Sequence, residues 1–174
     1  TLRQCLPELL AQVPRLRDAR TLVVPPGEAS KDLAMASDIW NHLASEAADR
    51  QALLVCLGGG VVTDLGGFVA AAYKRGIRCI HIPTTLMGMV DAAIGGKTAV
   101  DLAGLKNMVG MFHDPLAVYI HLPFLRTLGK RELLNGLAEM IKHGLVWDAS
   151  LWESIGKTQL HDLDALVPVV ARSA

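Results

Sequence analysis

The stretch "LLVCLGGGVVTDLGGFVAAAY", residues 53–73, carries an apolar run of strand length straight into three glycines and then into an alanine-rich segment of helical length. A strand that empties through bare backbone into a helix lets a pyrophosphate approach the helix's positive end. The pattern is not the full G-x-G-x-x-G fingerprint, because Thr63 stands where its third glycine belongs. Gly66 and Gly67, one turn into the expected helix, would let it sit close against a neighbour. Asp64 is expected in the helix's first turn, where a carboxylate suits the dipole. Without a ligand, the same residues make a tight strand-to-helix turn.

Further short apolar runs flank this unit: "TLVV" (21–24), "RCIHI" (78–82) and "LAVYIHL" (116–122), each expected as a strand alongside "ALLVCL" (52–57). The segment "SKDLAMASDIWNHLASEAAD" places Leu33, Ala36, Ile39, Trp40 and Leu43 along one helical face, with Ser30 as its N-cap. Strand alternating with helix implies a parallel sheet covered by helices, an α/β Rossmann-like arrangement. From about Pro123 the remaining sequence reads as successive helices without a strand between them. The expected organisation is a nucleotide-binding domain over 1–122, then the start of an all-helical domain over 123–174. The opening Thr1 and the stop at "VVARSA" inside an expected helix suggest a truncated chain.

Composition narrows the classes of function. The 174 residues suffice for one domain with a substantial core. Seventeen Lys and Arg balance seventeen Asp and Glu, so no overall field recruits nucleic acid or an anionic membrane. No apolar run reaches the roughly 20 residues of a membrane helix. A cytoplasmic protein is expected. Cys5, Cys56 and Cys79 lack C-x-x-C spacing and are read as buried thiols.

Two more stretches carry chemistry. In "HIPTTLMGMVDAAIGGKT", 81–98, Thr84 and Thr85 follow a strand's C-terminal edge, where open α/β sheets bind ligands. The closing Gly-Gly-Lys-Thr imitates a P-loop, but Asp91 occupies the position of the loop's first glycine, so an ATP site is rejected. Asp91, Lys97, Lys106 and Asn107 lie in a glycine-punctuated region too irregular for continuous helix. Together they could hold an anionic, hydroxyl-rich substrate. In "GLAEMIKHG", 136–144, Glu139 and His143 are spaced i and i+4 on one helix face with Lys142 beside them. That makes two metal ligands, short of the three a catalytic zinc uses. The other histidines, His42, His81, His113, His121 and His161, show no metal-ligand spacing.

In order and spacing, "PGEASK", "LGGGVVTDLGGFVAAAYKRGI", "HIPTTLMGMVDAAIGGKTAVD", "GLKNMVGMFHDP" and "GLAEMIKHG" resemble the 3-dehydroquinate synthase family across nearly the whole chain. The resemblance implies NAD⁺ and Zn²⁺ dependence and conversion of 3-deoxy-D-arabino-heptulosonate 7-phosphate to 3-dehydroquinate and phosphate, in the shikimate pathway. It implies NAD contacts at Pro26, Gly27, Glu28 and Lys31, and at Gly59, Gly60, Val61, Val62, Thr63 and Asp64. Further NAD contacts would fall on Thr84, Thr85, Lys97, Lys106, Phe124, Leu125, Arg126 and Thr127. Glu139 corresponds to a zinc ligand. Asp91, Lys97, Asn107 and Lys142 correspond to substrate and catalytic positions, and Arg75 to a residue reaching the neighbouring subunit of a homodimer.

The sequence departs from the family pattern at Pro26, Thr63 and Asp101. The family's first strand would precede Thr1 and its two zinc histidines would follow Ala174. On that reading this chain alone binds zinc weakly or not at all. Other readings are a different sugar phosphate cyclase, a related polyol or glycerol dehydrogenase, and a nucleotide-binding module inactive by itself.

Overall fold

Two parallel strands hold the centre of the molecule. In the computed structural model, which describes residues 1–159 and 162–174, β1 (Leu53–Gly58) pairs with β2 (Arg78–Pro83) in unbroken register from Leu53↔Arg78 to Gly58↔Pro83. Parallel neighbours need a crossover, and α3 (Gly60–Ala72) supplies it. Every residue from Leu65 to Ala71 is buried, since this helix lies between the sheet on one side and further elements on the other. The expected role of its glycine pair holds. A Cβ at Gly66 would collide with the Cys56 sulfur, and one at Gly67 with the Thr98 methyl.

The third strand of this sheet is short. Of the expected strand at 116–122, only β5 (Ala117–Val118) pairs with β2, so the sheet order is β1-β2-β5. The expected strand at 21–24 does not form: those residues have no ladder partner among the described residues, and Leu22 and Val24 pack onto a cluster that includes Ile39, Leu65 and Phe68. Burial of two side chains replaced ladder hydrogen bonds there.

Helix α2 (Leu33–Ser45) starts two residues later than its expected cap implies. Ser30 lies in a short 3₁₀ turn, and Asp32 caps the helix by accepting from the Met35 N–H at 2.8 Å. Trp40 then donates to the Val69 carbonyl at 3.1 Å, docking α2 on α3.

The region read as irregular is an antiparallel hairpin, β3 (Lys97–Leu102) with β4 (Leu105–Phe112). Its two turn residues, Ala103 and Gly104, have φ of 54° and 77°, the doubly left-handed geometry that matches strand twist in two-residue hairpins.

Helix α1 (Cys5–Gln12) buries Cys5 and Leu9 against α4 (Lys130–Val146), α5 (Ala149–Lys157) and α6 (Leu163–Ser173). Met140, Leu151, Leu166 and Val170 share one apolar cluster with Ile82, Leu86 and Met89, so the core takes residues from both sides of position 122. All three cysteines are buried and free.

Candidate functional site

The glycine turn gives α3 an N-terminus without a side-chain cap. Gly59, the N-cap residue, offers only its carbonyl, which accepts from Val62 at 2.9 Å and Thr63 at 3.2 Å. The amides that open the helix are left for solvent or a ligand. The turn is tightly held by the segment after β2. A Cβ at Gly59 would come within 2.8 Å of the Thr85 methyl, and one at Gly60 within 3.1 Å of Ala92. Thr85 Oγ1 accepts from Gly88 N at 3.1 Å, leaving its own hydrogen free to donate. Thr63 is different: its buried hydroxyl donates back to the Gly60 carbonyl at 3.1 Å. Asp64 lies beyond the first turn where it was expected, because the helix already begins at Gly60.

Asp64 belongs instead to a network centred on Lys31. Only 4% of Lys31 is exposed. Its ammonium donates to Asp64 Oδ2 at 2.8 Å and to Asn107 Oδ1 at 2.6 Å, and lies 3.7 Å from Glu28. Burial pushes the Asp64 carboxyl up, and the Lys31 charge works against that shift. Glu28 also meets Lys106 at 3.3 Å. Asp101, one of the sequence departures, takes the Asn107 N–H at 2.9 Å, while its own N–H donates to Lys31 O at 2.7 Å. Asn107 has φ of 56°, so this side-chain bond fixes a left-handed residue in the hairpin. One buried ammonium thus ties the loop at 26–31, the crossover helix and the hairpin together.

These elements surround a cavity of about 460 Å³, lined among others by Asp64, Asp91, Lys97, Thr98 and Asn107. Lys97 is exposed there, with no carboxylate partner among the described residues. Ala92, beneath the glycine turn, lines the same cavity, so α3's N-terminus and Lys97 approach one space.

Asp91 links this cavity to α4. It sits in a π-turn, Gly88–Ala92, a rare geometry that recurs at functional sites. Helix α4 presses on the residues just before it: a Cβ at Gly136 would lie 2.5 Å from both Leu86 Cβ and Met87 N. That close approach brings donor atoms of Asp91, Glu139 and His143 within 4.8 Å of one another. The Glu139 and His143 pair expected from the i, i+4 spacing is present, Nε2 to Oε1 being 3.5 Å. The Asp91 carboxylate, from a distant part of the chain, lies beside that pair. Lys142 forms an ion pair with Glu139. His143 Nδ1 lies 2.9 Å from the Ser173 hydroxyl, a partner no sequence spacing suggested.

Other expected residues lie elsewhere. Arg75 is exposed beyond the C-terminal end of α3, the opposite end from the glycine turn. Phe124 and Leu125 are buried in the core, Arg126 is exposed, and the Thr127 hydroxyl donates to the Phe124 carbonyl at 2.8 Å. Pro26 and Gly27 are exposed, and Gly27 has φ of 103°. His161 lies outside the described residues. No helix among the described residues is long and apolar enough to cross a membrane.

Residues 21–135 match the family model described as 3-dehydroquinate synthase N-terminal. The chain belongs to the 3-dehydroquinate synthase family. A 3-dehydroquinate synthase of Parabacteroides distasonis is 48% identical over 166 residues, covering 95% of this chain and 46% of the relative. One from a Thermoanaerobacter species is 47% identical over 156 residues, 87% of this chain and 44% of the relative. The chain therefore spans less than half the length of these curated relatives. Among solved structures, 2-epi-5-epi-valiolone synthase from Streptomyces hygroscopicus subsp. jinggangensis, with NAD⁺ and Zn²⁺ bound, superposes with a TM-score of 0.88 at 33% identity, over 99% of this chain and 50% of that one. Members of the 3-dehydroquinate synthase family and this cyclase thus share the α/β arrangement described above.

Proposed function

We propose that this chain forms the nucleotide-binding part of a 3-dehydroquinate synthase, which converts 3-deoxy-D-arabino-heptulosonate 7-phosphate to 3-dehydroquinate and phosphate in the cytoplasm. The observation that carries the reading is convergence. The uncapped start of α3, Lys97, which has no carboxylate partner among the described residues, and the Asp91, Glu139 and His143 donors all border or adjoin one cavity. Residues 1–122 would serve chiefly the nucleotide, and 123–174 would open a helical domain carrying metal and substrate ligands.

The residues fit the two groups the reading requires. NAD would lie with its diphosphate on the α3 amides and its hydroxyls near Thr84 and Thr85, while Glu139 offers a carboxylate to zinc. When bound, these groups supply a reversible hydride acceptor and a Lewis acid for a substrate alcohol. The chain's own contribution is orientation and charge. Lys97 would take the substrate carboxylate, Asn107 and Lys142 its phosphate, and Asp91 its hydroxyls. Asn107 can do so through its amide NH₂, since its carbonyl oxygen is held by Lys31. Arg75, at the far end of α3, would serve the site of a second subunit in a homodimer.

A related sugar phosphate cyclase is the second reading, favoured by the superposition on the valiolone synthase. Its 33% identity, against 48% for the dehydroquinate synthase relative, places it second. The test is to incubate the whole protein with the heptulosonate phosphate, NAD⁺ and Zn²⁺ and to identify the product chromatographically. Dehydroquinate with stoichiometric phosphate is expected. A product formed only from another sugar phosphate would select the second reading, and NAD⁺ binding without turnover would leave a binding module. Lys97→Ala should lower kcat/KM by about tenfold or more, the worth of one charge-assisted hydrogen bond.

A further inference from the structure

The hairpin departs from a regular ladder at one place, and that place borders the cavity. On β3, Asp101 stands alone between the paired residues Val100 and Leu102, while on β4 Lys106, Asn107 and Met108 stand between their partners Leu105 and Val109. The surplus on β4 must bulge, and a bulge leaves backbone amides without a ladder partner. Asp101 supplies one with its side chain, Oδ1 accepting the Asn107 N–H at 2.9 Å. We infer that Asp101 is a positioning residue for the substrate: it sets Asn107 so that the asparagine shows the cavity its amide N–H donors and no acceptor. That the group meeting those donors is a phosphate rests on the synthase reading above; the orientation of the donors does not.

The orientation is fixed from several sides. Asn107 has φ of 56°, a conformation that L residues reach at a cost and asparagine tolerates better than most. The Asp101 carboxylate holds its backbone there. At the side chain, the Lys31 ammonium has only hydrogens to give, and it donates to Asn107 Oδ1 at 2.6 Å. The oxygen is thereby turned to the buried lysine and the NH₂ away from it. Lys31 is held in its turn by Asp64 at 2.8 Å. Among the described residues, nothing accepts from the Asn107 NH₂, and Asn107 lines the cavity together with Lys97.

Asp101 joins both halves of this arrangement. Its own N–H donates to the Lys31 carbonyl at 2.7 Å, so its backbone grips the segment that carries the ammonium while its side chain grips Asn107. Without the carboxylate, Asn107 can relax to negative φ and carry its NH₂ away from the cavity. The charges of Lys31 and Asp64 are spent on each other, and what faces the cavity from this cluster is a neutral donor. A donor without an acceptor beside it selects groups that only accept, such as phosphate oxygens. The part played by Asp101 needs an acceptor atom rather than a charge, and asparagine carries the same Oδ1 acceptor.

The test uses the whole protein, with the heptulosonate phosphate as substrate and, separately, inorganic phosphate titrated by calorimetry in the presence of NAD⁺. Asn107→Ala should raise KM about tenfold at nearly unchanged kcat, the loss of one hydrogen bond to a charged group. Asp101→Ala should raise KM about fivefold, and should add less than about twofold once residue 107 is alanine, because the two act through one contact. Asp101→Asn keeps an acceptor at the same reach and should stay within about twofold of the parent. Asp101→Glu, whose acceptor is displaced by one methylene, should fall between, and it decides the matter if thermal melts show that Asp101→Ala does not fold. Inorganic phosphate affinity should follow the same order. Losses at Asp101 that are as large without Asn107 as with it, or folded Asp101→Ala and Asp101→Glu variants with parental KM and phosphate affinity, would overturn the inference. A protein that makes no dehydroquinate, but whose phosphate affinity answers to Asp101 only while Asn107 is present, would refute the synthase reading and leave the positioning role standing. Neither turnover nor phosphate binding would overturn both.

Discussion

Two clusters that each lend side chains to a wall of the cavity, Asp64 and Asn107 from one and Asp91 from the other, are built on opposite plans. On the hairpin side, Lys31 is buried and its ammonium is saturated by Asp64 and Asn107, with Glu28 nearby. On the α4 side, Asp91 is exposed, Glu139 and His143 are half-buried, and the three donors face one another with Lys142 on only one of them. A closed network of charges cannot accept a ligand without breaking, so the first wall fixes shape. An open set of donors with like charge among them is held in place by backbone packing and stays free to take a ligand. Scaffold and ligand-binding capacity are thus divided between the walls.

Breaking the closed wall should have the largest effect. Lys31→Met leaves Asp64 partly buried without its cation and frees three segments from one another, at a cost of about 3–5 kcal/mol in chemical denaturation. Lys31→Met with Asp64→Asn should recover part of that loss, since no unpaired carboxylate remains. If the single variant melts like the parent, the network is not what joins these segments. The next test separates the walls. Gly136→Ala places a Cβ against Met87 N and should cost about 1–3 kcal/mol through overpacking. By moving α4 off the π-turn it should also weaken Zn²⁺ binding at Glu139 in the whole protein, and more than it weakens NAD⁺ binding.

The same division explains what could be read from the sequence. The strand, glycine turn and helix at 53–73 are local, and their residues fix φ, capping and close approach within one stretch, so β1, α3 and the role of Gly66 and Gly67 were legible. The hairpin was not. Its two-residue turn is Ala-Gly rather than Asn-Gly, and an alanine at φ of 54° gives no turn signal. The "TLVV" run has strand composition, but tertiary packing of Leu22 and Val24 decided its state. Glu139 and His143 could be paired by helical spacing. Asp91 could not be joined to them, because its place depends on a π-turn and on a glycine in another helix.

A pH titration probes a third region, the sheet behind both walls. His81 on β2 is buried with no partner for Nδ1 among the described residues, and burial, aided by the nearby His113, lowers its pKa to about 4. The unfolded chain holds this histidine near 6.5, so between these values the unfolded state binds the extra proton. The contribution is therefore complete above about pH 6.5 and is lost as pH falls toward 4. His81→Leu should flatten the pH dependence of Tm over that window. An unchanged slope would assign the acid sensitivity to other groups. Metal affinity also falls with acid, as donors protonate, but only this variant separates the scaffold's share.

The smallest expected effect tests the start of α2, where the sequence reading and the structure place the cap on different residues. Asp32 accepts from the Met35 N–H, whereas Ser30 lies in the preceding 3₁₀ turn. Asp32→Ala should cost about 1 kcal/mol, the usual worth of an N-cap. Ser30→Ala should stay within about 0.5 kcal/mol, as for a surface change away from such features. The Asp32 backbone also forms an isolated parallel β-bridge with Asp101, whose carboxylate accepts from the Asn107 N–H, so a lost cap should reach the closed wall and slightly weaken NAD⁺ binding. Helix α4 shares no such link among the described residues, and the Zn²⁺ affinity of the whole protein should be unaltered. Equal losses at both sites would mean that the walls move as one body.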